Sequence, residues 1–449
     1  MLTPLTHPDA LDIARPTGSF WEASTPPPGF EAAPVEGDVA CDVAIVGAGY
    51  TGLSAALRLR EAHGADVRVL DAAAPGWGAS GRNGGFCCLG GAKLDWAPMI
   101  ARHGLAEVRR FFEVQQDSVA LVRAFCTGRG IDAWISGEGE LSLAHKPARL
   151  RGLEAERAFL KETFGHETML LGPEALRQQG THAPGLHGGL WNPVGFGLHP
   201  LRYLRGLAAA AVEQGAVLHG HSRVVAWEQR PGRHRLVTER GSVTAPKLIF
   251  ATNGYTPEAL VAPLRGRLLP VLSNILVTRP LSEAERDAQG WTAATMAYDT
   301  RNLLHYFRLL PDGRFLFGGR GGTDGADAAS AAAERRLRDA FDALFPAWRA
   351  VEHSHFWRGL ACLSSNLTPY LGALDNARTV WTALAYHGNG VALGSWSGRA
   401  LADHLADSTK RPALPGFMTR LPRPFPLPAL RGLYLRSAYL WFEAQDRWL

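Results

Sequence analysis

Short apolar runs alternate with amphipathic stretches along most of the chain. Val43–Val46 is wholly apolar and stops at Gly47, as a parallel strand buried on both faces should. Leu53, Leu57 and Leu59 follow on a helix that begins near Tyr50, and a second apolar run, Val67–Leu70, ends at Asp71. The pattern predicts strand, tight turn, helix, strand.

Upstream, residues 1–36 are rich in Pro, Thr and Ala and predict an irregular strap anchored by Phe20 and Trp21. Beyond residue 95 the period changes. Val108, Phe111, Phe112, Val119, Leu121, Val122 and Phe125 predict helices ending at Gly128 and Gly130. Glu140–Leu143 reads as a short strand, and residues 153–164 and 173–179 as helices. Pro200 opens a helix carrying Leu204, Leu207, Ala208 and Val212, which Gly215 closes. Strands are expected at 217–218 and 224–227, a small antiparallel meander at 235–238 and 242–245, and a buried strand at 247–251. Further strands are expected at 272–277, 302–308 and 314–318, with a helix at 334–345. Glycines 388, 390 and 394 open a last core helix through Leu401 and Leu405, and residues 430–448 predict a docked terminal helix.

Three places carry chemistry. Gly47, Gly49 and Gly52 have the G-x-G-x-x-G spacing between the first strand and its helix. In that context Gly47 permits the turn, Gly49 lets a pyrophosphate approach bare backbone, and Gly52 lets the helix lie on the strand. Asp71, at the end of the next strand, is placed to accept from an adenosine ribose. A second glycine-dense loop, residues 76–86 (GWGASGRNGGF), follows directly and can lay backbone amides along a flat or anionic ligand. The third is the helix start near Gly388–Gly390, a donor-rich, positive end. No second G-x-G-x-x-G precedes a strand and an acid, which argues against a separate nicotinamide site.

Composition changes the picture little. The chain has 449 residues, 46% hydrophobic and 20% charged, which fits a globular protein of two or three lobes. Lys and Arg number 47 against 42 Asp and Glu, and no like-charge run suggests a nucleic-acid arm. The five cysteines show neither a metal spacing nor a disulfide framework, so no metal is expected. With no signal-like N-terminus and no apolar run of ~18 residues, no transmembrane segment is expected and the expected location is cytoplasmic.

The motifs DVAIVGAGYTGLSAAL, GWGASGRNGG, ATNGY after a strand, FLFGGR at 315–320 and YHGNGVALGSWSG resemble the D-amino-acid oxidase-like family of FAD-dependent oxidoreductases, most of all its γ-glutamylputrescine oxidase branch. The resemblance implies an α/β fold: a glutathione-reductase-like FAD-binding domain interleaved with an α+β substrate domain built on a large mixed sheet. The strap would cover 1–36. The FAD-binding domain would comprise 37–95, 191–260 and 359–410, the substrate domain 96–190 and 261–358, and a C-terminal tail with a helix 411–449. FAD, held non-covalently, would lie against Gly47, Gly49, Tyr50, Thr51 and Gly52, with Asp71 on the ribose. Ala79, Ser80, Gly81, Arg82, Asn83 and Gly84 would run beside the pyrophosphate and isoalloxazine. Val224 would meet adenine, with Ala251 and Thr252 nearby, and Gly388, Asn389, Gly390 and Val391 would face the flavin N1/C2 edge. Cys362 is the residue to which a covalent link would run.

The implied reaction is hydride transfer from an amine-bearing carbon to flavin N5, giving an imine that water hydrolyses. The substrate would be a small-molecule amine such as a γ-glutamyl polyamine, with oxygen or another acceptor taking the electrons. His305 and His387 are candidates for substrate contact or proton uptake. Tyr306, Trp357 and Trp396 are candidate pocket walls, and Arg82 and Arg308 candidate clamps for a carboxylate. Sarcosine-type relatives place a Lys over the flavin from mid-substrate-domain. Here no Lys occurs between Lys247 and Lys410, which leaves oxidase and dehydrogenase both open. The alternatives are a D-amino-acid or N-methylglycine dehydrogenase, and a flavin-binding or electron-relay subunit without a substrate site.

Overall fold

The computed structural model describes residues 6–448. Two sheets organise it. In the first, the strands lie in the order Tyr370–Ala373, Val380–Leu384, Lys247–Phe250, Val43–Val46, Val67–Leu70, Val217–His219. All neighbours are parallel except the first pair. Ile45 sits between Ile249 and Val69, and the central strands are buried along their whole length, which explains their unbroken apolar sequence.

Two helices close one face of this sheet, Tyr50–His63 and Ala392–Leu405. They touch through backbone: a Cβ on Gly398 would stand 2.2 Å from the Thr51 carbonyl oxygen. The Ser54 hydroxyl donates to the Ser395 carbonyl at 2.7 Å, and buried Asp403 accepts from Arg58 at 2.8 Å.

The second sheet has eight strands in the order His353–Ser364, Leu268–Thr278, Phe315–Arg320, His305–Leu309, Met296–Asp299, Glu140–Leu143, Gly189–Asn192, Met169–Leu171. Period-2 alternation splits it into two faces. Phe307, Phe315 and Phe317 point into an aromatic core with Trp291, Phe341, Phe345 and Trp348, covered by the helix Asp327–Leu344. Tyr306, Arg308, Leu316 and Arg320 alternate with them and face the first sheet's side.

Most expected elements occur, with differences at their ends. The helix expected from 153 starts at Pro147, where proline's fixed φ suits a first turn. The strand expected at 224–227 begins only at Ala226. His353–Ser364 was not expected: its mixed sequence carries no strong pattern, but it pairs along most of Leu268–Thr278. This strand also runs through residue 358, so a domain boundary there would cut a continuous strand. The strap holds a helical turn, Phe20–Ala23, capped by Ser19, with Phe20 and Trp21 buried. The C-terminal helix Arg431–Trp448 docks at both ends: buried Arg431 forks onto Glu258, and Asp446 accepts from the Asn302 amide at 2.9 Å. Among the described residues, no helix is long and apolar enough to cross a membrane.

Trp291 is fully buried against Phe307, Phe315 and Phe345. Trp291→Ala is expected to cost about 3–5 kcal/mol, read as a lowered urea midpoint at unchanged slope.

Candidate active site

The glycine turn is sterically determined. Gly47 has φ +109°, and a Cβ there would lie 2.7 Å from the Ala251 carbonyl oxygen. Gly52 would put its Cβ 1.9 Å from the Gly47 oxygen, and Gly81 would put its own 2.0 Å from the Gly76 oxygen. Gly52 and Gly81 therefore close turns from behind. Asp71 accepts from the Ala48 amide at 2.8 Å and the Ala73 amide at 3.0 Å. Burial pushes its carboxyl up while those two amides pull it back. The Ser80 hydroxyl accepts from the Tyr50 amide at 3.1 Å, which ties the second glycine loop to the helix N-terminus. Asn83 braces that loop, donating to the Ser80 carbonyl at 3.0 Å and accepting from the Gly85 amide at 2.8 Å.

These segments open on one cavity of about 2080 Å³. Single small-molecule sites commonly fill ~300–1,000 Å³, so there is room for a large ligand and a smaller one together. Gly47, Gly49, Tyr50, Thr51 and Asp71 line it. So do Ala79, Ser80, Arg82, Asn83 and Gly84 from the second loop, then Val224, Ala251 and Thr252, and finally Gly388, Asn389, Gly390 and Val391.

The expected substrate residues fare differently. Tyr306 lines the cavity, its hydroxyl 2.9 Å from that of Ser273. His387 also borders it, but both ring nitrogens are taken: Nδ1 donates to the Gly91 carbonyl at 3.0 Å and Nε2 accepts from the Ser364 amide at 3.2 Å. Burial pushes its pKa down to about 4. It is a neutral brace, not a free base. His305 lies on the other face of the sheet, 3.0 Å from Asp299 and stacked on Phe317. Arg308 is buried outside the cavity lining, its Nε donating to the Gly84 carbonyl at 3.0 Å and its Nη2 to the Leu198 carbonyl at 2.5 Å, while Nη1 has no partner among the described residues. Arg82 stacks 3.9 Å over Trp77 and donates to the Trp77 carbonyl at 2.6 Å. Neither arginine is free to clamp a carboxylate. Trp357 donates to the Arg82 carbonyl, and Trp396 is inside the last core helix, so neither walls the cavity. Cys362 borders the cavity with its thiol pushed up to about 12 by burial.

Three residues that the sequence reading passed over project into the cavity instead: Lys93, Arg320 and Glu140. The Arg320 guanidinium packs on Gly388, where a Cβ would lie 3.7 Å from it. Lys93 is accessible from the cavity, yet burial and the nearby Arg320 push its ammonium down to about 7. Among the described residues, no carboxylate is within salt-bridge distance of either. Arg320 was legible in principle, since it shares the Tyr306 face by alternation. Lys93 sits in a glycine-rich loop with no periodicity to betray it.

The chain matches the family model of the FAD dependent oxidoreductases, DAO, over residues 42–404. It belongs to that family. The DAO assignment makes it an FAD-dependent oxidoreductase, and the glycine turn with the Asp71 carboxylate at the cavity's edge fits that cofactor. Among relatives, it is 30% identical to the gamma-glutamylputrescine oxidoreductase of Escherichia coli over 375 residues, 83% of this chain and 85% of that one. Its fold is like that of glycine oxidase from Geobacillus kaustophilus, with TM-score 0.71 and 21% identity, covering 86% of this chain and 100% of the other. It is also like L-proline dehydrogenase from P. horikoshii, with TM-score 0.70 and 18% identity, covering 90% and 99%. At these identities the two structures speak for the DAO fold.

Gly52→Ala is expected to yield protein without bound FAD, seen as loss of visible absorbance in a folded preparation, because the turn cannot admit a methyl group. In the apoprotein, Lys93 holds its proton less tightly folded than unfolded. Stability should therefore rise with pH from about 7 toward 10.5 as the unfolded chain also loses that proton. Lys93→Met should flatten that rise in urea midpoints compared across the interval.

Proposed function

We propose that the chain oxidises an amine, with a γ-glutamyl polyamine or related conjugate as substrate. The carrying observation is the single cavity on which the glycine turn, the second glycine loop and the residues 388–391 converge, with unpaired Lys93 and Arg320 in its wall. FAD would be held by Gly47–Thr51 and Asp71 at the nucleotide end and by Ser80, Asn83, Gly84 and Gly388–Val391 at the flavin end. When bound, it supplies a two-electron acceptor for hydride leaving the amine-bearing carbon. The helix start after Val391 and Arg320 beside Gly388 give that end of the cavity positive potential, which would stabilise negative charge on a reduced flavin held there.

The protein's own part is to bind the amine neutral and keep water out. An ammonium has no lone pair to assist hydride departure. Lys93 Nζ, near its midpoint at neutral pH, can accept that proton. Tyr306 offers a ring and a hydroxyl to the amine's chain. Leu433 and Arg436 of the C-terminal helix reach the cavity and help close it. The E. coli relative's name supports a polyamine conjugate. An amino-acid dehydrogenase is the second reading, because Arg320 is a cation without a partner, suited to a carboxylate.

Anaerobic mixing with an amine panel tests both. Bleaching of the flavin by γ-glutamyl polyamines supports the first reading, and bleaching by amino acids alone the second. If no amine bleaches it, amine oxidation is wrong. Arg320→Met should lower kcat/KM for carboxylate-bearing amines by about tenfold to a hundredfold, as expected for losing one charged hydrogen bond. Reoxidation in air separates oxidase from dehydrogenase.

A further inference from the structure

Glu140 is a buried carboxyl with nothing to neutralise it. It is 5% exposed, begins the strand Glu140–Leu143, and borders the cavity. Among the described residues no cation and no N–H group reaches it. Its bonding neighbour is the Cys88 thiol, a weak donor. Every other titratable group that acts on it makes matters worse or leaves them unchanged. Glu156, from the helix Pro147–Phe164, adds like charge, and Tyr298, from the adjacent strand, is a neutral phenol. Arg308, in the same row of the sheet, is turned to the Gly84 and Leu198 carbonyls. Desolvation pushes the Glu140 carboxyl up to about 8.

The sheet register says where this group lies relative to the flavin end. Ser142 pairs with Tyr298, and Tyr298 with Tyr306, so these side chains share one face with Glu140, one row further along. At ~4.8 Å between strands and ~7 Å between rows, the Glu140 and Tyr306 backbones are about 12 Å apart. Tyr306 marks the flavin end, because a Cβ on Gly84 would lie 2.7 Å from its ring. Glu140 is thus set back from the reacting position, along a wall made by Phe86, Tyr298 and Leu304. A carboxylate beside the reacting nitrogen would hold a proton on it and oppose oxidation. One at a distance can hold a nitrogen that stays charged.

We propose that Glu140 is the counter-ion for a second, unreacting ammonium group of the substrate, so that the site selects diamines and their conjugates over monoamines. The inference rests on the amine-oxidising reading above. Binding such a dication makes Glu140 give up its proton, and the apolar wall between the two ends fits the methylene spacer.

The test compares 1,4-diaminobutane with n-butylamine in the flavin-loaded enzyme. Glu140→Gln should reduce the diamine-to-monoamine ratio of kcat/KM by at least about tenfold, through KM, as loss of a buried charge pair requires. Glu140→Asp should retain more of that ratio. A folded, flavin-containing E140Q with the wild-type ratio overturns the proposal. A second measurement needs no variant and no turnover: calorimetry of binding to the wild-type enzyme, kept anaerobic with its flavin already reduced, at pH 7 in buffers of different ionisation enthalpy. The diamine should bind more tightly and release one more proton than butylamine. Equal affinities or equal proton counts overturn the proposal. Failure of every amine to bleach the flavin is a different result: it defeats the amine-oxidising reading, while calorimetry still reports on Glu140.

Discussion

The approach of two helix backbones at Thr51 and Gly398 is the contact on which the site depends. A methyl group at Gly398 would overlap the Thr51 carbonyl oxygen. Because none is there, the helix that starts at the first glycine turn can lie against the helix that starts some 340 positions later. Their N-terminal ends then face a common space. The Thr51 hydroxyl, 2.8 Å from that of Tyr386, and Arg58 on Asp403 hold the two helices in register. The cavity is bounded on that side by two helix starts whose free amides favour negative charge.

Against that positive side, the wall provided by the large sheet is electrically uneven. Arg320 and Lys93 stand near Gly388, while Glu140 lies at the other end of the same face. Burial pushes the Glu140 carboxyl up to about 8, and crowding by protein atoms with the nearby Arg320 pushes the Lys93 ammonium down to about 7. A buried carboxyl such as Glu140 rarely stands without a partner. On the reading proposed above, the ligand would be that partner.

Much of this was legible in the sequence where local pattern and tertiary role coincide. Val43–Val46, Val67–Leu70 and Glu140–Leu143 occur where their patterns put them, because each is short, buried and flanked by turns. The glycine motifs were readable for the same reason: their residue type is dictated by backbone a few ångströms away. What escaped was set by distant pairing. His353–Ser364 is a strand because Leu268–Thr278 lies beside it. His387 and Arg308 resemble functional groups in one dimension. Only the positions of Ser364, Gly91, Gly84 and Leu198 show that they are braces. Glu140 was invisible because burial, which gives it its character, is absent from the string of letters, and Lys93 because the cavity it borders is assembled from distant segments.

The parallel sheet is also a constraint in time. Val43–Val46 emerges early in synthesis, but its neighbour Lys247–Phe250 follows about 200 residues later, and Val380–Leu384 later still. The helix that packs on Thr51, Ala392–Leu405, comes after all of them. Few contacts can form locally, and much of the ordering entropy must be met before the long-range pairings repay it. Until those segments emerge, Val43–Val46 has only Val67–Leu70 beside it, and the nucleotide turn lacks the Ala251 and Gly388–Val391 sides of its cavity.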